Sequence, residues 1–167
     1  MNVKKMTTLS LIISVAMILS YIESLIPAFV AVPGVKVGLS NIATVFALYT
    51  LGAPYAIGVS LVRVLLSSLL FGTVASLIYS LSGALFALVV MITLKHINLF
   101  SEIGVSIAGG VMHNVGQVVA AALVMSTGAI AYYIPPLIVS GIIAGIAIGI
   151  VSGLLINRLK GKIGRIK

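Results

Sequence analysis

The sequence predicts an all-α integral membrane protein with six transmembrane helices. Of its 167 residues, 61% are hydrophobic and only 7% are charged, and the mean hydropathy is +1.33. A soluble domain of this length would carry about a quarter charged residues. Several apolar runs of about 20 residues are each long enough to cross a hydrocarbon core of roughly 30 Å. Composition and run length therefore place the whole chain in a single transmembrane domain.

Proline, glycine and polar residues interrupt the apolar runs, and these interruptions give the boundaries of the spans. The second run is the shortest, because it extends only from Asn41 to Leu51 before the "GAP" stretch. A helix of about 11 residues is too short to cross the hydrocarbon core. Extending it back through Val37 lengthens it, and the alternative is a half-inserted segment with only five spans. The predicted spans cover about residues 7–26, 37–51, 55–71, 74–94, 103–125 and 137–156, with a basic tail at 157–167.

The basic residues favour six spans over five. Six spans place Lys4, Lys5, Lys95 and the five cations of the tail on one side, with Lys36 alone on the other. The positive-inside rule identifies the richer side as cytoplasmic. Both termini are therefore predicted to be cytoplasmic, in a multi-pass protein of the cell membrane. The net charge is +8, but the basic residues that produce it mostly flank the predicted spans, so the charge does not predict a nucleic-acid partner.

Two charged residues lie inside predicted spans, where polar groups usually face the bundle interior or a water-filled cavity. Arg63 lies near the middle of the third span, where insertion scales charge an arginine about 2.5–3.5 kcal/mol. At helical spacing it shares one face with Ser60 and Ser67. Glu23 lies toward the outer end of the first span, and both Arg63 and Lys36 are candidates for its partner. A buried ion pair with no further role is the alternative to a binding site.

The stretch "GGVMHNVGQVV", residues 109–119, places three polar side chains on one face of the fifth span. His113 and Gln117 are four residues apart, and Asn114 and Gln117 are three apart, so all three share one wedge near mid-depth. Nearby glycines would let a second helix or a flat ligand approach the backbone. The alternative for Asn114 is a packing hydrogen bond between helices. No second histidine or carboxylate lies at ligand spacing, so no metal site is predicted.

Two outer loops add candidate ligand contacts. The loop "VPGVKVGLSN" leads into the second span, with Ser40 or Asn41 as N-cap. Free N–H groups at that helix start, together with Lys36, would suit an anionic group, and an ordinary glycine-rich turn is the alternative. In the last outer loop, Tyr132 and Tyr133 would either stack on a planar ligand or form an interfacial aromatic belt.

The sixth span carries glycine at every fourth position, a pattern typical of close helix packing in lipid. The row is expected to pack this span within the bundle, and a homodimer seam is the alternative. It comprises Gly141, Gly145, Gly149 and Gly153.

Several segments resemble the membrane family labelled both heptaprenyl diphosphate synthase component I and Gx transporter. They are "SYIESLIP", "PGVKVGLSN", "RVLLSSLLFG", "YSLSGALFALVVM", "GGVMHNVGQ" and "YYIPPLIVSGIIAGIAIG", which together span nearly the whole chain. That family is similar to the S components of energy-coupling factor transporters, six-helix bundles that bind vitamins near the outer face. The resemblance implies this bundle and the cytoplasmic membrane of a prokaryote.

The resemblance also implies a substrate-binding membrane transport protein for a small planar vitamin or cofactor. Members of this family resemble proteins that are associated with flavin delivery to membrane redox complexes, so a flavin such as riboflavin is the leading cargo. A flavin ring edge would be read by Asn114 and Gln117, and its ribityl chain or phosphate would meet Lys36 and Asn41. The predicted ligand-binding residues are Glu23, Lys36, Asn41, Arg63, Ser67, His113, Asn114, Gln117 and Tyr133.

The alternative function is a prenyl-lipid or polyprenyl diphosphate binding accessory protein without catalysis of its own. Prenyl chain elongation relies on aspartate-rich motifs that hold magnesium against diphosphate. The sequence has no aspartate, and Glu102 is its only carboxylate besides Glu23. The chain is therefore predicted not to be an enzyme, and no catalytic residue and no covalent cofactor are assigned.

The resemblance further implies protein partners. S components that share an energising module commonly carry an Ala-x-x-x-Ala signature on the first helix. This chain offers Ser10 with Ser14, and Ala16 with Ser20, in its place. An energising module, a membrane redox complex and a second copy of the chain are the expected candidates.

Overall fold

Six α-helices and one short 3₁₀ helix make up the part of the chain that the structure describes. The structure is a computed structural model that describes residues 3–25 and 38–163. Five of the helices are long and apolar enough to cross a membrane, and α2 is shorter. No β-strand occurs within the described ranges, and the predicted all-α membrane fold class is confirmed. The elements are α1 (Val3–Leu25), α2 (Asn41–Thr50), α3 (Ala53–Phe71), α4 (Val74–Ile97), α5 (Glu102–Met125), the 3₁₀ helix (Gly128–Tyr133) and α6 (Ile134–Ile163).

The outside of the bundle is apolar and much of its polar content is inside. Leu69, Leu123 and Ile143 expose 74%, 75% and 64% of their surface, whereas Arg63 and Asn114 are each only 8% exposed. Exposed apolar surface on this scale marks contact with lipid rather than water. The bundle is therefore built to face hydrocarbon outside and to hold polar groups within.

The second helix begins later than predicted. Gly38 has a φ of +77° and residues 39–40 form a turn, so the helix starts at Asn41 rather than at residue 37. Val37 lies outside the described residues. A ten-residue helix rises only about 15 Å, so α2 crosses about half of the hydrocarbon thickness.

Contacts at both ends of α2 fix the half of the bundle that it fills. At its start, the Ser152 hydroxyl in the middle of α6 donates to the Ile42 carbonyl over 3.4 Å. At its end, the Lys95 ammonium near the end of α4 donates to the Leu48 carbonyl and lies 5.1 Å from the centre of the Tyr49 ring. The opposite half, where α1, α3 and α5 end and α4 and α6 begin, is left without a segment of α2.

Glycines set the close approach of α5 and α6, as the four-residue row predicts. A methyl group on Gly145 would lie 2.5 Å from the Ile107 Cα of α5, and one on Gly141 would lie 2.9 Å from the Val111 Cα. Gly149 is equally close to α5, while Gly153 faces open space. Three members of the row therefore pack the sixth helix against the fifth.

Several other helix ends also differ from the predicted spans, and the end of α6 differs most, at Ile163 instead of residue 156. The sixth helix begins at Ile134 instead of residue 137, because Pro135 and Pro136 fit in a first turn, where backbone N–H groups have no partner within the helix. The fourth continues to Ile97 and carries Lys95 and His96 in its last turn, where basic groups complement the negative end of the helix dipole.

The first helix lies at the edge of the bundle. Its buried side chains, Ile12, Ala16 and Ser20, form one stripe at four-residue spacing, and the helix packs on α3 and α2. Ser10 and Ser14 are exposed on the opposite side. Of the two small-residue pairs in the sequence, one is therefore engaged in the bundle and the other faces outward.

Candidate ligand-binding cavity

A polar cavity occupies the half of the bundle that α2 leaves empty. Side chains from all six helices line it, and the space between its walls is about 860 Å³, counting the open mouth. Ligand pockets commonly enclose roughly 300–1,000 Å³. Serine is its commonest lining residue type, with hydroxyls from α1, the turn before α2, α3 and α4. The lining serines are Ser20, Ser24, Ser40, Ser67, Ser68, Ser76 and Ser80.

The structure brings most of the predicted ligand-binding residues to this one cavity. Lys36 lies outside the described residues, and Tyr133 lines a separate groove. Four different helices contribute the others, which are Glu23, Asn41, Arg63, Ser67, His113, Asn114 and Gln117.

The Ser40 hydroxyl links the two charged residues of the cavity. It accepts a hydrogen bond from the Arg63 Nη1 over 2.7 Å and donates to Glu23 Oε2 over 3.4 Å. The other Glu23 oxygen, Oε1, accepts from the Gly38 N–H. Among the described residues, the contact between Glu23 and Arg63 therefore runs through Ser40 rather than through a direct ion pair.

The start of α2 does not supply the free N–H groups that the sequence predicts. The Asn41 N–H donates to the Gly38 carbonyl over 2.8 Å, and those of Ile42 and Ala43 donate to residues 39 and 40. Ser40 holds the N-cap position without a side-chain capping bond, because its hydroxyl contacts Glu23 and Arg63. The N–H groups of residues 41–43 are therefore bonded in a turn-like way and are not free, whereas Lys36, the other part of the predicted anion site, lies outside the described residues.

Among the residues that the structure describes, Arg63 provides the cationic group of the cavity. Its guanidinium bonds to Ser40 and, through Nη2 over 3.1 Å, to the Asn41 side-chain oxygen. Its Nε is buried and has no hydrogen-bond partner among the described residues. The prediction that this face of α3 looks inward is confirmed by the burial of Ser60 and Arg63, at 2% and 8% exposure.

The polar wedge of α5 forms the opposite wall. The buried Asn114 amide nitrogen donates to the Leu137 carbonyl of α6 over 2.7 Å, so this side chain ties two helices while it also lines the cavity. His113 and Gln117 are half-buried. Gly83 of α4 lets them sit close, since a methyl group there would lie 2.7 Å from the His113 carbonyl.

An apolar groove adjoins the polar cavity, and Gln117 lines both. The groove encloses about 890 Å³, open space included, between α4, α5, the 3₁₀ helix and the start of α6. Tyr133 belongs here rather than in the polar cavity, because the 3₁₀ helix carries it to this side. The other lining residues are Tyr79, Val118, Ala121, Met125, Ile130 and Leu137.

Most of the hydroxyl lining and the apolar groove are not among the features predicted from the sequence. Serine pairs four residues apart, Ser20 with Ser24 and Ser76 with Ser80, were an available signal, because that spacing places both hydroxyls on one helix face. Tyr79 gave no comparable signal, since one tyrosine in an apolar helix is typical of an interfacial position.

Comparison with known protein families gives a match over most of the chain. Residues 12–155 match the model of the family described as heptaprenyl diphosphate synthase component I. No curated protein and no solved structure matches the chain. Because the match covers most of its length, the chain belongs to the heptaprenyl diphosphate synthase component I family, which confirms the resemblance that its motifs predict.

Proposed function

We propose that the chain is a substrate-binding membrane transport protein for a small planar vitamin or cofactor, with a flavin such as riboflavin as the leading cargo. The observation that carries the proposal is the convergence of polar side chains from five of the six helices on one open cavity. Packing alone gives no reason to gather an arginine, a carboxylate, an imidazole and three carboxamides in one place, since polar groups at membrane depth are unfavourable. A ligand that uses these groups supplies the reason.

The distribution of the basic residues supports a cavity mouth that faces the outer side of the membrane. Lys4, Lys5 and Lys95 lie at the end of the bundle opposite to the cavity. Under the positive-inside rule that end is cytoplasmic. The half-length α2 then closes the cytoplasmic side beneath the cavity, as a carrier that receives its ligand from outside requires.

The pairing of a polar cavity with an apolar groove suits an amphipathic ligand. Riboflavin combines a polyol chain, which would bond to the serine hydroxyls, with a planar ring whose benzenoid edge is apolar. Gln117, at the junction, would read the carbonyl and imide groups of the ring. Tyr79 and Tyr133 in the groove would pack against the apolar edge.

A prenyl diphosphate is the second candidate ligand, and the family description favours it. Its diphosphate would occupy the polar cavity and its isoprenoid tail the groove. We assign no catalysis to the chain, because the sequence contains no aspartate to hold magnesium against diphosphate. In this version the chain presents the lipid to a separate enzyme.

The family description names a component, and a component has at least one partner subunit. We propose that an energising module or a membrane redox complex contacts the exposed side of α1. Ser10 and Ser14 there would allow close approach of another helix.

Riboflavin binding to the purified chain in detergent tests the proposal. We expect saturable binding, and a loss of about tenfold or more in affinity for Gln117→Leu, because this change leaves ligand polar groups without a partner. Flavin fluorescence quenching measures the affinity, and the thermal unfolding midpoint checks that the variant is folded.

Asn157→Leu is the matched control, because it removes an exposed carboxamide from α6, away from the cavity. Its riboflavin affinity should equal that of the wild type. Equal affinities for wild type and Gln117→Leu would refute the assignment of this cavity, and binding of farnesyl diphosphate without riboflavin would transfer it to the second candidate.

A further inference from the structure

We propose that Arg63 binds an anionic group of the ligand, so that the cavity selects a phosphorylated molecule over its neutral counterpart. The inference rests on the proposed function, because it assigns a chemical class to the ligand of the same cavity. It concerns the charge of the ligand rather than the identity of its ring or tail.

The guanidinium has unused capacity for such a group. Arginine carries five N–H donors, and the hydrogen bonds that Arg63 makes go to the neutral oxygens of Ser40 and Asn41. Each of these bonds uses one of the two N–H groups on its Nη, which leaves the second N–H of Nη1 and of Nη2 for a group in the cavity that Arg63 lines. The Nε has no hydrogen-bond partner among the described residues and is itself buried. Charge-assisted, bidentate contacts with phosphate are the strongest bonds that a guanidinium makes.

The carboxylate near Arg63 does not accept hydrogen bonds from the remaining N–H donors of the guanidinium. One oxygen of Glu23 accepts a hydrogen bond from the Gly38 N–H, and the other accepts a long hydrogen bond from the Ser40 hydroxyl. Ser40 lies between the carboxylate and the arginine. Glu102 is the other carboxylate of the chain, and it lies at the start of α5, toward the opposite end of the bundle. Glu23 therefore balances the charge of Arg63 from a distance and leaves the guanidinium available to a guest.

The wall beside Arg63 provides further donors. Asn41 also lines the cavity, and because its side-chain oxygen accepts from Arg63, the two N–H donors of its amide nitrogen are left for other partners. A phosphate monoester offers three acceptor oxygens and carries about −1.5 to −2 charges near neutral pH. One guanidinium and one amide can satisfy several of these oxygens at once.

Glu23 and Arg63 should then affect an anionic ligand in opposite directions. Removing the positive charge weakens binding of the phosphorylated ligand, and removing the negative charge strengthens it, because the carboxylate repels a second anion. Neither change should greatly alter the affinity for the neutral ligand. A purely structural role for the pair does not produce opposite signs that appear only with the charged ligand.

Riboflavin and flavin mononucleotide form the matched ligand pair, since they differ by a single phosphate. The full chain in a nonionic detergent is titrated with each at low ionic strength, where electrostatic contributions are largest. We expect the wild type to prefer flavin mononucleotide by about tenfold to hundredfold. The preference should vanish in Arg63→Gln, partly remain in Arg63→Lys, and increase in Glu23→Gln.

Arg158→Gln serves as the control variant, because Arg158 is exposed on α6 away from the cavity and its loss removes the same charge. It should keep the wild-type preference. If Arg63→Gln fails to fold, the double variant Glu23→Gln/Arg63→Gln, which is neutral at both positions, replaces it.

The outcomes separate this inference from the proposed flavin function. Riboflavin binding without a preference for the phosphorylated form, or a preference that survives Arg63→Gln, overturns the role of Arg63 and leaves the carrier assignment intact. If neither flavin binds, the flavin assignment fails, and farnesyl diphosphate with farnesol becomes the deciding pair. If the chain prefers farnesyl diphosphate over farnesol and Arg63→Gln abolishes this preference, the role of Arg63 is supported and the phosphorylated ligand is a prenyl lipid. If neither ligand pair shows a preference that depends on Arg63, the role of Arg63 is overturned.

Discussion

Replacing Gly145 with alanine is expected to lower the free energy of unfolding by about 1–3 kcal/mol, the usual range for overpacking. The added methyl group would lie 2.5 Å from the Ile107 Cα and 2.9 Å from the Ser106 carbonyl oxygen. Both are backbone atoms of α5, so no side-chain rotation relieves the clash and the two helices must move apart. Unfolding of the purified chain by denaturant in mixed micelles, followed by far-ultraviolet circular dichroism, measures the change.

Gly153→Ala is the matched control, because it makes the same change two turns further along α6, where a methyl group meets no atom within 4 Å. We expect it to be neutral or to stabilise the helix by up to about 1 kcal/mol, since alanine is the better helix former. Equal effects of the two substitutions would contradict the role of the glycine row in packing α6 on α5. A selective change in dimer content for Gly153→Ala would instead support the alternative of a homodimer seam at that position.

Removing the charge of Glu23 is expected to destabilise the protein through Arg63. In Glu23→Gln the arginine stays inside the bundle without its neighbouring carboxylate, and an uncompensated buried charge is strongly unfavourable. Because Glu23 is only half-buried, we expect a loss of about 1–3 kcal/mol. In the double variant Glu23→Gln/Arg63→Gln, the loss should be smaller than the sum of the two single losses by about 0.5–3 kcal/mol.

The control for this cycle is Glu102→Gln, which removes the other carboxylate of the chain from the first turn of α5. That carboxylate interacts favourably with the helix dipole, so its loss should lower stability by about 0.3–1 kcal/mol. Simple additivity of the Glu23 and Arg63 effects would show that the two charges do not compensate each other across Ser40. The same unfolding measurement serves all four variants.

The sequence predicts the fold class well because hydropathy and charge asymmetry act directly on membrane topology. It predicts the start of α2 poorly. Gly38 adopts a positive φ in the folded chain, and because glycine adopts positive and negative φ about equally readily, its presence in the sequence does not indicate which one occurs. The faces of α3 and α5 follow from helical periodicity, which is why Arg63 and Gln117 reach the same cavity.

Helical periodicity in the sequence does not predict which residues of two neighbouring helices are in contact. The bond from Asn114 to the Leu137 carbonyl depends on the register of α5 against α6, which the glycine contacts set. Tyr133 is separated from the polar cavity because the chain turns through a 3₁₀ helix before α6, and loop sequence alone does not give that geometry. The hydroxyl of Ser40 was predicted at most as a cap, whereas its two charged neighbours come from different helices.

Native mass spectrometry of the full chain, extracted from its membrane in a mild detergent, tests most directly whether a guest molecule fills the space between the six helices. We expect a second charge series above that of the 17.2 kDa polypeptide, displaced by the mass of one flavin and lost on collisional activation. A spectrum that contains only the bare polypeptide, both as extracted and after incubation with excess riboflavin or flavin mononucleotide, would contradict it.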